Sequence, residues 1–220
     1  MSSTDHYPST AERLADLWVH AIGLGAAAVG AIGLIAMSAL SGSAGQTIAI
    51  SIYGTGLVLM LLSSTAYNLA RSAVRRRRLR RFDHAAIFVL IACSYTPFTT
   101  QRLEGSWALW MTAAVWTTAA IGIAIKLVVN DPPKGLSLAA YLASGWLAVV
   151  AIKPFIEQVP IAALWLLGLG GIVYSVGAVI YALDRIRFRR AIWHGFVIVA
   201  AALHWIAVLV GVVRPGPLAS

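Results

Sequence analysis

The sequence predicts an all-α polytopic membrane protein with seven transmembrane helices, its N-terminus in the cytoplasm and its C-terminus outside. Of its 220 residues, 60% are hydrophobic and only 11% are charged, which is too little polar surface to cover a water-soluble globule. The apolar residues form long runs, each near the roughly 20 residues that a helix needs to cross the bilayer core. We therefore expect several spans rather than one anchor on a soluble domain.

Seven apolar segments are predicted as spans. They are 17–39, 48–70, 84–101, 106–128, 136–152, 160–182 and 191–213. The connections are short and rich in turn-forming residues, among them SGSAGQ, LEGS, NDPPKG and KPFIEQVP. No connection is long enough to form a domain. We predict a cytoplasmic segment over 1–16, a single transmembrane domain over 17–213 and an external tail over 214–220.

The distribution of cations predicts the orientation. The chain has 17 Lys and Arg against 8 Asp and Glu, an excess that in a soluble protein would suggest nucleic acid as a partner. With the N-terminus in the cytoplasm, every Lys and Arg except Arg102, Lys153 and Arg214 lies on the cytoplasmic side. This is the positive-inside pattern. We predict a multi-pass protein of the plasma membrane, with membrane lipids and not nucleic acid as partners.

Seven arginines are concentrated between the second and third spans, in the segment RSAVRRRRLRR. The pattern is predicted to form a basic loop from Arg71 to Arg81. Such a loop could bind anionic lipid headgroups, at about 1 kcal/mol for each cation near the surface. Ordinary positive-inside sorting explains the same arginines without a lipid role, so both interpretations remain open.

Polar and ionisable side chains gather at the predicted cytoplasmic ends of four helices. They are Glu12, Asp16 and His20 of the first helix, Ser64 and Asn68 of the second, Asp83 and His84 of the third, and Arg190 and His194 of the seventh. Each has a structural interpretation: first-turn acids are favoured by the helix dipole, Asp83 suits a helix cap, and Arg190 suits a solvated cation. Charge inside a membrane is costly, and the convergence of four helices indicates a metal or catalytic site. His204, about 15 Å deeper, is interpreted as a packed, hydrogen-bonded histidine.

Four segments of the chain resemble a known family of membrane proteins. They are ERLADLWVHAIG at the start, SSTAYN at the end of the second helix, RRFDHAAIFVLIACSYTPF in the third, and AIWHGFVIVAAALHWIAV in the seventh. In these segments the chain resembles bacterial hemolysin III proteins, within the wider progestin and adipoQ receptor family of seven-helix proteins. The resemblance covers nearly the whole chain.

The resemblance implies a zinc site near the cytoplasmic surface. The family ligand positions correspond to Asn68, Arg190 and His194, so only the last keeps a histidine. Asp83 corresponds to the aspartate behind the metal-bound water, and Ser64 to the serine one turn before the first ligand. Asparagine is a poor zinc ligand and arginine is a permanent cation, so zinc is possible but is the weaker expectation. One hypothesis is that Arg190 pairs with Asp83 and replaces the metal. Another is that His20 or His84 joins Asp83 and His194 as a substitute ligand.

Three classes of function follow. We favour a non-enzymatic protein that acts in membrane-lipid sensing or homeostasis. The alternative, implied by a resemblance to membrane hydrolases, is zinc-dependent hydrolysis of lipid amides, with Asp83 as base, His194 as metal ligand and Ser64 assisting at the oxyanion. A pore or transporter is the third class, which the residues disfavour because the polar groups do not continue across the membrane beyond His204.

Overall fold

The computed structural model is built from helices throughout the part of the chain that it describes, residues 7–129, 133–183 and 185–218. The elements are α1 (Thr10–Ser41), α2 (Ala44–Leu69), α3 (Ala73–Gln101), α4 (Gly105–Val128), α5 (Lys134–Gly145), a 3-10 turn (Leu147–Ala151), α6 (Ile152–Gln158), α7 (Ile161–Ala182), α8 (Arg189–Val208) and a closing π turn (Leu209–Val213). Parts of the predicted N-terminal segment (1–6), of NDPPKG (130–132) and of the external tail (219–220) lie outside the described residues.

The predicted all-α polytopic fold is confirmed. Six helical segments of the described chain are long and apolar enough to cross a membrane, and α5, the 3-10 turn and α6 together form one of them, Gly135–Gln158. α3 is the seventh span by its packing, because it lies between α2 and α4 and contacts both along its length. Its composition is more polar, since it begins with arginines and ends in YTPFTTQ. The predicted domain bounds and orientation remain predictions.

The predicted basic loop is wrong, because α3 already begins at Ala73. Only Ala70, Arg71 and Ser72 separate it from α2. Arginine has a high helix propensity, so an arginine-rich segment with no internal glycine or proline continues the helix outward rather than interrupting it. Six of the seven arginines therefore lie on the first two and a half turns of α3.

The fifth span extends further than predicted, through most of the supposed connection KPFIEQVP to Gln158. Pro154 is tolerated because it lies in the first turn of α6, where its missing N–H has no helical partner to lose. The irregular 3-10 segment before α6 is held by Tyr95 of α3. Its hydroxyl donates to the carbonyl of Gly145, 2.7 Å away, and accepts from the N–H of Ala148 at 2.9 Å.

Capping residues define the starts of the first two helices. Ser9 accepts a hydrogen bond from the N–H of Glu12 at 3.2 Å, and Ser43 accepts one from the N–H of Gln46 at 3.1 Å. Both segments have the serine-x-x-Glu/Gln pattern of a capping box. α1 therefore begins at Thr10, seven residues before the predicted span, and its first turns carry polar residues toward the bundle.

α1 buries one stripe and exposes the rest of its surface. The buried stripe contains Asp16, His20, Gly23, Ala27, Ala31, Leu34 and Ser38, at the three- and four-residue spacing of one helix face. The opposite face exposes large apolar side chains such as Val29 and Ile32, as expected where lipid is the solvent. Near Gly30, α8 comes so close that the indole of Trp205 donates to the glycine carbonyl at 3.0 Å.

The packing of α8 against α1, α3 and α7 brings four helix ends together. Because successive spans run antiparallel, the beginnings of α1, α3 and α8 and the end of α2 lie on the same side, which the charge pattern predicts to be cytoplasmic. α5 packs more loosely against α3 and α7. The tight α1–α2–α3–α8 group forms a polar cluster at this side, and the looser region beside α5 encloses a cavity.

Candidate functional site: a buried acid and histidine cluster

Asp16, His20 and His194 form the centre of the cluster. One potential ligand atom from each lies within 4.8 Å of the others. Asp16 and His20 are almost fully buried, with side-chain exposures of 1% and 3%, while His194 keeps 14%. The rings of His20 and His194 meet edge to face, with their centroids 4.2 Å apart. The i, i+4 spacing on α1 places the acid and the first imidazole on one face, and α8 supplies the second.

The hydrogen bonds determine how each imidazole is used. Nδ1 of His194 lies 2.5 Å from Oδ1 of Asp16, and Nδ1 of His20 donates to the Asp16 carbonyl at 2.8 Å. The carbonyl can only accept, so Nδ1 of His20 carries a proton and its Nε2 is an acceptor in the neutral ring. Nε2 of His20 and Nε2 of His194 lie 3.1 and 3.4 Å from the hydroxyl oxygen of Ser64. Both rings therefore point to the same hydroxyl.

Ser64 and Asn68 bring the last turns of α2 into the cluster, as their predicted spacing of one turn requires. The Asn68 amide donates to the Ser64 carbonyl at 3.0 Å and lies 3.4 Å from Nε2 of His20. The Asp83 carboxylate of α3 also interacts favourably with Ser64. A hydroxyl has one proton to donate, and here the Nε2 atoms of two imidazoles lie 3.1 and 3.4 Å from its oxygen, with this carboxylate nearby.

Asp83 lies beside the central group rather than in it. Besides its favourable interaction with Ser64, its charge interacts favourably with His194 and Arg190 and unfavourably with Asp16. The guanidinium of Arg190 packs over the ring of Tyr7, 5.1 Å from its centroid. The hypothesis that Arg190 pairs with Asp83 and replaces the metal remains a prediction, with this favourable charge interaction in its support.

Tyr7 closes the cluster on the side of the N-terminus. Its hydroxyl donates to Oδ2 of Asp16 and lies 3.2 Å from Oδ1 of Asn68. Burial, reinforced by the adjacent Asp16 carboxylate, raises the pKa of Tyr7 above its ordinary value, so the phenol stays protonated and acts as a donor. Both carboxylate oxygens of Asp16 therefore have partners, one in His194 and one in Tyr7.

The sequence prediction did not give two members of the cluster their observed role. Asp16 was counted in the predicted polar group, with a solvated first-turn acid as the alternative interpretation; it is buried, because α8 packs over this turn of α1. Its spacing from His20 was the available signal. Tyr7 precedes the first helix and had no periodic pattern to indicate its position. Of the two possible substitute histidines, the structure brings His20 to His194, whereas His84 faces Arg80 and Lys126.

The donor set decides how zinc could be held. At the family ligand positions, an amide and a guanidinium stand beside His194, and these groups do not fit zinc. Asp16, His20 and His194 are donors of the correct type, and their ligand atoms are close enough to share an ion. Zinc in the family manner therefore does not fit this chain, while a rearranged set centred on α1 and α8 fits chemically.

A cavity of about 270 Å³ lies beside the cluster, toward the middle of the membrane. α2, α3, α5, α7 and α8 line it, mostly with aliphatic and aromatic side chains. Trp193, the neighbour of His194, forms part of the wall, and so does His204. His204 was predicted to be packed and hydrogen-bonded, which is confirmed: Nε2 lies 3.3 Å from the Leu167 carbonyl, and its ring contacts Tyr174.

Comparison with known proteins agrees with this architecture. The chain matches the Haemolysin-III related family over residues 10–205. It is 36% identical to the hemolysin-3 homolog of Bacillus subtilis (strain 168), over 90% of this chain and 93% of that protein. It is 34% identical to hemolysin-3 of Bacillus cereus, over 90% of each chain. The human monocyte to macrophage differentiation factor is 29% identical, over 91% of this chain and 84% of its own. The chain therefore belongs to the haemolysin-III related family of polytopic membrane proteins.

Proposed function

We propose that this protein binds a lipid inside the membrane and acts in membrane-lipid sensing or homeostasis. The cavity between α3, α5 and α7 carries the proposal, because its wall is almost entirely apolar. Water is poorly held in an apolar cavity, whereas a hydrocarbon chain gains dispersion contacts there. Leu57, Leu90 and Phe155 are examples of the side chains that such a chain would contact.

The position of the cavity favours sensing. Trp193 lines it and His194 follows directly on α8, so a ligand that displaces the indole also acts on the residue whose imidazole binds Asp16. Two packed arrangements of α8 would give the protein two states with different affinities for the lipid, which is the requirement for a ligand-controlled switch.

Filling the cavity tests this proposal. Gly168 lies in the cavity wall, and a Cβ built on it meets nothing within 4 Å. Gly168→Leu is therefore expected to fold and to reduce the binding of radiolabelled oleyl alcohol and oleate by purified protein by about tenfold or more. Gly25→Leu is the matched control, since Gly25 has equally open surroundings on exposed α1 and lies outside the cavity. Equal binding by wild type and Gly168→Leu would contradict the proposal.

A hydrolase of lipid amides is the second candidate, supported by the groups around Ser64. Two imidazoles lie within hydrogen-bonding distance of its hydroxyl, and the Asp83 carboxylate interacts favourably with it. In this hypothesis Asp83 is the general base and Ser64 assists at the oxyanion. Asp16, His20 and His194 would hold the zinc, which when bound lowers the pKa of its water to about 7.

Hydrolysis can be tested with an N-acyl sphingoid lipid in detergent. Asp83→Asn is expected to lower fatty-acid release by roughly 10²–10⁴-fold, the usual contribution of a general base, and a chelator should remove the activity. Glu157→Gln is the control, because that carboxylate is 55% exposed and pairs only with its neighbour Lys153 among the described residues. Activity that survives both chelation and Asp83→Asn would exclude this mechanism.

A further inference from the structure

Lys126 is a buried cation outside the Asp16 cluster. It lies near the end of α4 with an exposure of only 5%, and its Nζ donates to the hydroxyl of Ser137 on α5. The same nitrogen lies 5.3 Å from the centroid of the Tyr141 ring. A hydroxyl and an aromatic face stabilise an ammonium only partly, and no carboxylate of the described residues forms an ion pair with it within 4.0 Å.

Two more basic side chains share this neighbourhood. Arg80 of α3 repels the charge of Lys126, and Arg80 and Lys126 together oppose a charge on His84. The backbone carbonyl of His84 accepts a hydrogen bond from the Tyr141 hydroxyl at 3.0 Å, which fixes α3 against α5 at this level. The positive charges of Arg80 on α3 and of Lys126 on α4 would therefore both favour an anion beside Lys126.

This basic group lies next to the lipid cavity. Tyr141 belongs to both, since its ring faces Lys126 and also lines the cavity, together with Leu138 and Ile87. The ammonium is thus separated from the hydrocarbon space by a single ring. The arrangement matches an amphiphile, with an apolar part for the cavity and a negative group for the cations at its end.

We infer that Lys126, held in place by the Ser137 hydroxyl, binds the anionic group of an amphiphile whose hydrocarbon chain occupies the cavity. The chemistry recognised is a carboxylate or a phosphate on a single acyl chain. This inference rests on the proposed lipid binding and names the class of lipid. Lys126 provides the charge. Ser137 holds the ammonium by accepting from it, while its own proton goes to the Pro133 carbonyl at 3.2 Å. Tyr141 separates the polar end from the apolar one.

The experiment compares a charged lipid with an uncharged lipid of the same chain length. Purified protein in detergent is titrated with radiolabelled oleate, 1-oleoyl lysophosphatidate and oleyl alcohol. Lys126→Met is expected to weaken binding of the preferred anion by about tenfold, the effect of losing one charge-assisted hydrogen bond, and to leave oleyl alcohol unchanged. Lys126→Arg should retain most of the affinity. The preference for oleate or lysophosphatidate identifies the anion, and competition by inorganic phosphate distinguishes a free phosphate from a headgroup.

Lys153→Met is the matched control, because Lys153 is 83% exposed on α6 and its removal changes net charge equally. It should bind all three lipids as the wild type does. Unchanged binding of both anions by Lys126→Met would contradict the proposed anion site at Lys126. It would not contradict the proposal that the cavity binds a lipid. Loss of oleyl alcohol binding in Lys126→Met would also contradict the inference, since it would indicate general damage to the cavity. If the wild type binds none of the lipids, the cavity proposal fails and this inference fails with it.

Discussion

Restoring histidine at positions 68 and 190 is expected to turn the cluster into a tight zinc site. The Asn68 amide already lies 3.4 Å from Nε2 of His20, one turn after Ser64 on α2, and position 190 is one turn before His194 on α8. Asn68→His with Arg190→His would add two imidazoles to those of His20 and His194 and remove a permanent positive charge. Mutation of residues that only support the ligands of a metal site changes metal affinity by roughly 10–100-fold. Because these two substitutions add ligands, zinc affinity should rise by more than that.

Element analysis of purified protein measures this result. The double variant should carry about one zinc per chain, and adding His194→Ala to it should remove the metal. Arg190→His alone supplies only two of the three family histidines and is expected to give a smaller gain. No increase over wild type in the double variant would contradict the assignment of these positions. If the wild type instead carries about one zinc that is lost on His194→Ala, the result favours Asp16, His20 and His194 as ligands. It would also contradict the hypothesis that Arg190 and Asp83 replace the metal.

The sequence predicted the helices because their signal is local. A run of apolar residues of bilayer length needs no knowledge of its neighbours to be recognised, and the segment Ile161–Ala182 lies within a residue of its predicted bounds. The predictions failed where the sequence pattern is ambiguous. Arginines at 71–81 suit a loop or a helix, and their helix propensity continues α3 outward to Ala73, beyond the apolar segment that predicts the span.

The site was predicted as a region but not as a set of contacts. The distance of each residue from its helix end predicted His20, Ser64 and His194, on three different helices, to lie at one depth, because the rise per residue of a helix is fixed. Which acid they would meet depends on the rotation and approach of α1 and α8, which spacing does not specify. Asp83 was the expected acid, yet the Asp16 carboxylate is the one 2.5 Å from His194. The burial of Lys126 was not predicted for the same reason, because the residues of α5 that cover it are not its neighbours in sequence.

The residues at the ligand positions that the resemblance implies form a consistent set. Asn68 and Arg190 accompany a single histidine there, His194, and a buried carboxylate, Asp16, binds it. A carboxylate that accepts from an imidazole and a phenol does by hydrogen bonding what a shared metal ion does by coordination: it fixes α1, α8 and the N-terminal segment relative to one another. We therefore expect most of the contribution of the cluster to the stability of the protein to depend on Asp16.

Removing Asp16 is expected to cost about 2–6 kcal/mol of unfolding free energy, because two largely buried donors lose their acceptor and each unsatisfied donor costs about 1–3 kcal/mol. Asp16→Ala leaves Nδ1 of His194 and the hydroxyl of Tyr7 without their acceptor. SDS titration of the protein in mixed micelles measures the loss.

Glu12→Ala, one turn earlier on the same helix, is the control and should cost only the 0.3–1 kcal/mol of a first-turn acid. The double variant Asp16→Leu with His194→Leu should recover part of the stability, because the imidazole that lost its acceptor is removed with it and the Tyr7 hydroxyl can still donate to Oδ1 of Asn68, 3.2 Å away. Equal losses for Asp16→Ala and Glu12→Ala would show that the buried carboxylate contributes no more than a solvated one, and the cluster would then not be what holds α1 to α8.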